Sequence, residues 1–190
     1  MPLQFQEADF KDGKAIANVC ISAFFDDPFQ KSLYPGKPFD KQVAGVISRW
    51  PNNYGDISAH YKVVVDTDTS EVVSYLKSGL SICEPETRLT PTGLPENFKP
   101  VRSSTPKGLN DPFATDFTKK RRGCASLHLS WTTELAEEKG LTCWVEASPM
   151  SVALYKKFGF EIQNTIVVQL DESCGGGTQT SSCMMREPRK

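Results

Sequence analysis

Histidine is scarce in this chain, and paired cysteines, long apolar runs and a surplus of charge are missing. Two histidines, His60 and His128, and six cysteines (Cys20, Cys83, Cys124, Cys143, Cys174, Cys183) are scattered without ligand spacing. The pattern therefore offers no metal site. No G-x-S-x-G occurs, which excludes a serine nucleophile elbow. No apolar stretch approaches the ~20 residues needed to cross a bilayer. The start, "MPLQFQEADFKDG", has no basic region followed by an apolar one, so it does not read as a secretory signal. The cysteines are expected as free thiols of a cytoplasmic protein, with no membrane partner. The formal net charge is −1, so no global field draws the molecule to nucleic acid. Any anion site must be local.

What is present suits one globular domain over 190 residues. Asp12 can cap a helix with Ile16, Val19, Cys20, Ala23 and Phe24 on one stripe, stopping before Pro28. Val43, Val46, Ile47 and Trp50 mark a second helix that Pro51 ends. "HYKVVVDTDTSEVVSYLKSGLSI" reads as two strands around a polar turn. Residues 84–112 form a proline-rich connection, either a lid or a surface insertion. "FAT" (Phe113 to Thr115) is a short strand. Cys124, Leu127, Trp131 and Leu135 line one face of a helix that Gly140 terminates. "LTCWVEAS" is a strand, and Ser148 and Pro149 open a helix through "MSVALYKKF". "FEIQNTIVVQL" is a further strand, and residues 171–182 are a flexible connection before a last strand in "SCMMREP". The order is that of a mixed α/β domain without internal repeats.

The most informative stretch is "KKRRGCASLHLSWTTELAEEKGL", Lys119 to Leu141. Four cations precede a glycine and two small residues at the start of a helix. The first N–H groups of a helix have no partner within it, and they sit at the positive end of the macrodipole. Together with a glycine that lets backbone approach, they suit a phosphate or pyrophosphate. The alternative is a solvated basic turn before an ordinary helix. Cys124 in that first turn is either a reactive thiol or a small filler. Nucleic acid is not the expected partner, because no aromatic residues interleave the basic run and no second basic cluster forms a groove.

A second stretch, "EASPMSVALYKKFGFE" (Glu146 to Glu161), resembles the carboxy-terminal signature of the GCN5-related N-acetyltransferases, or GNAT family. There a strand and a Ser or Asn lead to a helix bearing A-x-x-L-Y-x-x-x-G-F; here Ala153, Leu154, Tyr155, Gly159 and Phe160 carry it. The segment Thr115 to Ser126 resembles the family's cofactor signature, Q/R-x-x-G-x-G/A, with the match on Lys120, Gly123 and Ala125. "AFFDDPF", "HYKVVVDTDTSEVVSYLKS" and "WVEASPMSVALYKKFGFE" are similar in particular to fungal members.

The resemblance implies a single-domain α+β fold with a mostly antiparallel central sheet flanked by helices. It also implies transfer of acetyl from acetyl-CoA, as co-substrate, to the amine of a small molecule. Arg121, Arg122, Gly123, Cys124, Ala125 and Ser126 would hold the pyrophosphate, with Lys120 and Ser148 as further cofactor-binding residues. Phe113, Ala114 and Thr115 would pair with the pantetheine amides. Tyr155 would protonate the departing thiolate, or else serve as a core aromatic. Glu146, or secondarily Asp116, would accept the amine's proton, or else be an exposed carboxylate. Phe24, Phe25, Asp26, Phe29 and Trp50 would face the acceptor, or else form core. A second functional reading stays open. Pro112 in "LNDPFAT" cannot donate to a sheet ladder, and Ser74 stands where many relatives have Gly. Both fit a GNAT fold that has lost acetyl transfer and binds or converts a pathway metabolite by other chemistry. Monomer and homodimer are equally compatible.

Overall fold

The computed structural model describes residues 2–56, 59–79, 93, 94, 96, 98, 114, 115, 123–170, 172 and 176–189, with backbone alone for 28, 29, 32, 114 and 115. The chain groups into two compact units. One holds Met1–Phe25 and Lys37–Arg122, and the other Asp26–Gly36 and Gly123–Lys190.

The first unit contains β1 (Leu3–Glu7), α1 (Gly13–Phe24), α3 (Phe39–Tyr54), β2 (Ala59–Asp66), β3 (Glu71–Gly79) and β4 (Ala114–Thr115). Its four-stranded sheet has the order β1-β2-β3-β4, with every pair antiparallel. The expected hairpin is β2–β3. Its turn closes where Asp66 accepts from Asp68 through its side chain and from Ser70 through its carbonyl. Strand β1 was not expected, since "LQFQE" carries only two apolar side chains. Its pairing with β2 fixes it, and Lys62, nearly buried, is held there by Glu7 and lies 5.1 Å from the Phe5 ring centroid.

Helix α1 packs against β3 and β4, and α3 packs against α1 and β2. Both faces of α1 are used. Ile16, Val19 and Ala23 join Trp50, Tyr54, Tyr61, Val63 and Tyr75 in the main core, while Ala17 and Ile21 meet Val43. The Asp12 side chain makes no cap bond to α1. It accepts from the Asp9 N–H at 2.8 Å, completing a capping box on the 3-10 turn Phe10–Asp12. Helix α3 runs past Pro51 to Tyr54, one turn beyond the expected stop, with Gly55 N–H closing on Pro51 O at 2.9 Å. Two described residues of the proline-rich stretch touch this unit. Leu94 packs on the main core, and Phe98 lies against Gly55.

The second unit contains α2 (Pro28–Leu33), α4 (Cys124–Glu138), β5 (Cys143–Ala147), α5 (Val152–Lys157), β6 (Glu161–Gln169) and β7 (Thr178–Arg186). Pro28 does stop α1's run, but it also opens α2 as its first residue, where a missing N–H costs nothing. The sheet order is β5-β7-β6, again antiparallel. Strand β7 begins at Thr178, so the connection expected over 171–182 is shorter. Gly176 and Gly177 turn the chain with positive φ, and Gly177 O accepts from the Leu170 N–H. Thr178 to Ser182 read as polar linker, yet they ladder onto β6. Helix α5 also starts later than expected. Residues 148–151 form a turn in which Ser148 O accepts from the Ser151 and Val152 N–H groups at 2.9 and 3.3 Å.

The buried side of α4 is not the stripe read from sequence. Cys124, His128, Leu129, Thr133 and Ala136 are buried, and Leu127 is exposed. Thr133 is tolerated inside because its hydroxyl returns to Leu129 O at 2.8 Å. The four described cysteines, Cys20, Cys124, Cys143 and Cys183, are free thiols.

Candidate active site

In the second unit the anion-binding expectation centres on Gly123. Its φ of +80° is a left-handed conformation that favours glycine, and among the described residues no atom lies within 4 Å of where a Cβ would stand. Gly123 is the N-cap of α4, its carbonyl accepts from Leu127 N–H at 3.1 Å, and no side chain caps the helix. A 15-residue helix thus begins at a side-chain-free glycine. Its first turn, Cys124, Ala125 and Ser126, carries the N–H groups that have no acceptor within the helix. Cys124 is buried and fills space beside that start; Ala125 and Ser126 are half-buried. Lys120, Arg121, Arg122, Asp116 and Phe113 lie outside the described residues, as does Pro112.

The other calls in this unit fall on β5 and α5. Glu146 is exposed on β5, alternating with buried Val145 and Ala147. Ser148 is exposed in the following turn, its hydroxyl 3.1 Å from that of Ser151. Tyr155 is only 5% exposed on α5, with its ring 5.4 Å from Phe160 in an edge-on pair. Burial pushes its phenol above the ordinary tyrosine range. Asp26 is exposed and pairs with Lys31 at 3.2 Å. For Phe29, only the backbone within α2 is described.

In the first unit, Ala114 and Thr115 do form a strand, pairing with Tyr75 and Ser74. The expected strand is therefore present at these two residues. Three of the proposed acceptor contacts are committed to packing. Trp50 is 5% exposed, donates its indole N–H to Phe10 O at 2.7 Å, and stacks among Tyr54 and Tyr61. Phe24 packs on the main core, and Phe25 sits edge-on to Phe39 over Ala17, Ile21 and Val43. For Trp50 the core alternative to an acceptor contact is the one observed, because its ring is buried among Tyr54 and Tyr61 and its one polar atom is bonded to Phe10 O.

Sequence reasoning passed over two residues here. His128, considered only as a metal ligand, is fully buried in α4, and desolvation lowers its pKa to about 4. Arg186, at the end of β7, is 5% exposed and joins Glu137 and Phe158. A buried arginine leaves no periodicity signal, since polar types are discounted when a core is read from apolar spacing.

Comparison with sequence-family profiles finds no match, and comparison with curated proteins finds none either. Solved structures do match over the whole chain. A histone acetyltransferase HPA2 and related acetyltransferase from Corynebacterium glutamicum superposes with a TM-score of 0.66 at 19% identity, covering 100% of this chain and 98% of that one. An acetyltransferase of the GNAT family from Streptococcus pneumoniae gives 0.57 at 12% identity, covering 99% and 100%. A GCN5-related N-acetyltransferase from Rhodopseudomonas palustris gives 0.60 at 10% identity, covering 98% and 96%. The chain has the GNAT fold, α+β with antiparallel strands and helices.

Proposed function

We propose that this chain, built on the GNAT fold, is an acyl-CoA-dependent N-acetyltransferase that moves the acetyl group of acetyl-CoA to the amine of a small molecule. The observation that carries the reading is the left-handed Gly123 at the start of α4, with no described atom within 4 Å of a Cβ there. Backbone N–H groups and the helix dipole there suit the pyrophosphate, and the neighbouring cations Lys120, Arg121 and Arg122 suit its charge. A helix end alone is unspecific; the resemblance at Ala153 to Phe160 and the fold make it specific.

The chemistry asks for two proton movements. The acceptor amine must lose a proton to attack the thioester carbonyl, forming the C–N bond. The C–S bond then breaks, and the departing thiolate takes a proton. Tyr155 is the residue for the second role by its place in the A-x-x-L-Y-x-x-x-G-F resemblance; burial keeps its phenol protonated and also makes it a weaker acid, so donation has to be driven by the basicity of the departing thiolate. Glu146, exposed on β5, suits the first through water. Asp26 remains the polar candidate for meeting a cationic amine, given its exposure.

Titration calorimetry with acetyl-CoA tests the reading. Binding in the micromolar range by the unaltered protein, lost in Gly123→Asp and weakened in Arg122→Glu, is the expected result. No binding by the unaltered protein overturns it. Binding without transfer to any of a panel of small amines would select the alternative, a GNAT fold turned to other chemistry.

A further inference from the structure

We infer that Arg186 is a positioning residue that fixes Tyr155 through the turn following α5 and ties that turn to α4, an inference resting on the reading of Tyr155 as the acid. Arg186 ends β7 and is 5% exposed. Its Nε donates to Phe158 O at 2.8 Å, and a terminal nitrogen is paired with Glu137 Oε1. Phe158 caps α5. Its N–H donates to Tyr155 O at 2.9 Å, and the Phe160 N–H donates to the same carbonyl at 3.1 Å. Phe160 also sets the Tyr155 ring edge-on. The turn 158–160 therefore holds Tyr155 by backbone and by ring, and Arg186 holds the turn.

Gly159 lies beside this contact. Its φ of +84° is the left-handed conformation that favours glycine, and a Cβ there would stand at ordinary contact distance, 3.5 Å, from Arg186 Nε. The Phe158 carbonyl belongs to the end of a helix, where carbonyls lack intrahelical partners and a cation is favoured. The second arm of the fork reaches Glu137 in the last turn of α4, the helix that begins at Gly123. One planar side chain thus sets the turn behind the proposed acid against the helix that carries the proposed anion site. Lysine has one charged point and cannot reach both partners with a fixed fork. A buried guanidinium costs free energy wherever it lacks partners; Nε and one terminal nitrogen of Arg186 have them, while Nη1 has none among the described residues.

Fluorine NMR of protein labelled with 3-fluorotyrosine tests the inference, with the Tyr155 line assigned by Tyr155→Phe. In Arg186→Gln the Tyr155 line is expected to move and broaden, while the Tyr54 and Tyr61 lines of the first unit stay. Arg186→Lys should move it less. Glu137→Gln, on a partly exposed partner, gives the same direction of change if the arginine variants fold poorly. In parallel, release of the CoA thiol from acetyl-CoA should show kcat reduced about tenfold and KM changed by less than about twofold. A merely structural tie would lower Tm and leave both the tyrosine line and the kcat-to-KM split alone. A Tyr155 line that ignores folded Arg186→Lys and Glu137→Gln overturns the inference by itself. Failure of the unaltered protein to bind acetyl-CoA overturns the acid reading, and with it the catalytic sense of the inference, whatever the tyrosine line does.

Discussion

Gly13 presses bare backbone against the indole of Trp50, so closely that a Cβ on it would lie 2.7 Å from the indole Cγ. The glycine has ordinary helical dihedrals, φ −53° and ψ −37°, so space and not backbone strain selects it. In an exposed helix, alanine would gain about 1 kcal/mol over glycine. Here it must displace a ring whose N–H is anchored on Phe10 O. Gly13→Ala is expected to destabilise the protein by roughly 1–2 kcal/mol through overpacking. Urea denaturation checks this, and a midpoint above that of the parent would refute the close approach.

Gly55 poses the same question at the proline-rich stretch. A Cβ there would come within 2.9 Å of Phe98 Cζ and 3.0 Å of Pro51 O. Gly55→Ala should cost roughly 1–3 kcal/mol, and Phe98→Ala in the same background should recover part of it. A double-mutant cycle with no coupling would remove Phe98 as an anchor.

His128 predicts a pH dependence. Burial holds its folded pKa at about 4, below the ordinary histidine value of 6.5, so the unfolded chain binds the proton more readily. The neutral side chain leaves stability intact above the unfolded value. Stability then falls as pH drops from there through about 4 and flattens below, by a total of about 3 kcal/mol. In His128→Gln the loss between neutral pH and pH 5 should shrink, read as the change in urea midpoint. An unchanged slope would place the titration elsewhere.

Tyr155→Phe removes one oxygen from the proposed acid and leaves the ring packed on Phe160. In an amine-acceptor assay, kcat should fall about 10²-fold, with KM for acetyl-CoA nearly unchanged. Because burial raises the phenol's pKa, the parent's rate should show no alkaline decline from this group up to its unperturbed value near 10. Equal activity in Tyr155→Phe would return the tyrosine to the core.

Much of the fold is legible in the sequence. The β2–β3 hairpin, the turn glycine Gly140 and the glycine at the head of α4 follow from local chemistry. Elements fixed by partners were not legible. Strand β1 has too little apolar pattern of its own, and Thr178 to Ser182 look like linker until β6 lies beside them. The face of α4 was misjudged because hydroxyl and imidazole groups entered the core while Leu127 stayed out. At the site, Gly123 and Tyr155 carry recognisable neighbours. Trp50 does not reveal from spacing whether it faces a ligand or another helix. Arg186 is silent, because its importance lies in contacts to Glu137 and Phe158, 49 and 28 residues away along the sequence.

The interleaving of the two units also sets a timetable for synthesis. Every strand of the first sheet has been translated by Thr115, so that unit can assemble while the ribosome is still working. Residues 26–36 cannot join their own unit until residues 123–190 emerge, roughly 3–14 s later at ordinary elongation rates. Through that interval the nascent chain carries an early segment waiting for a late partner, and this is the period in which a chaperone would find it.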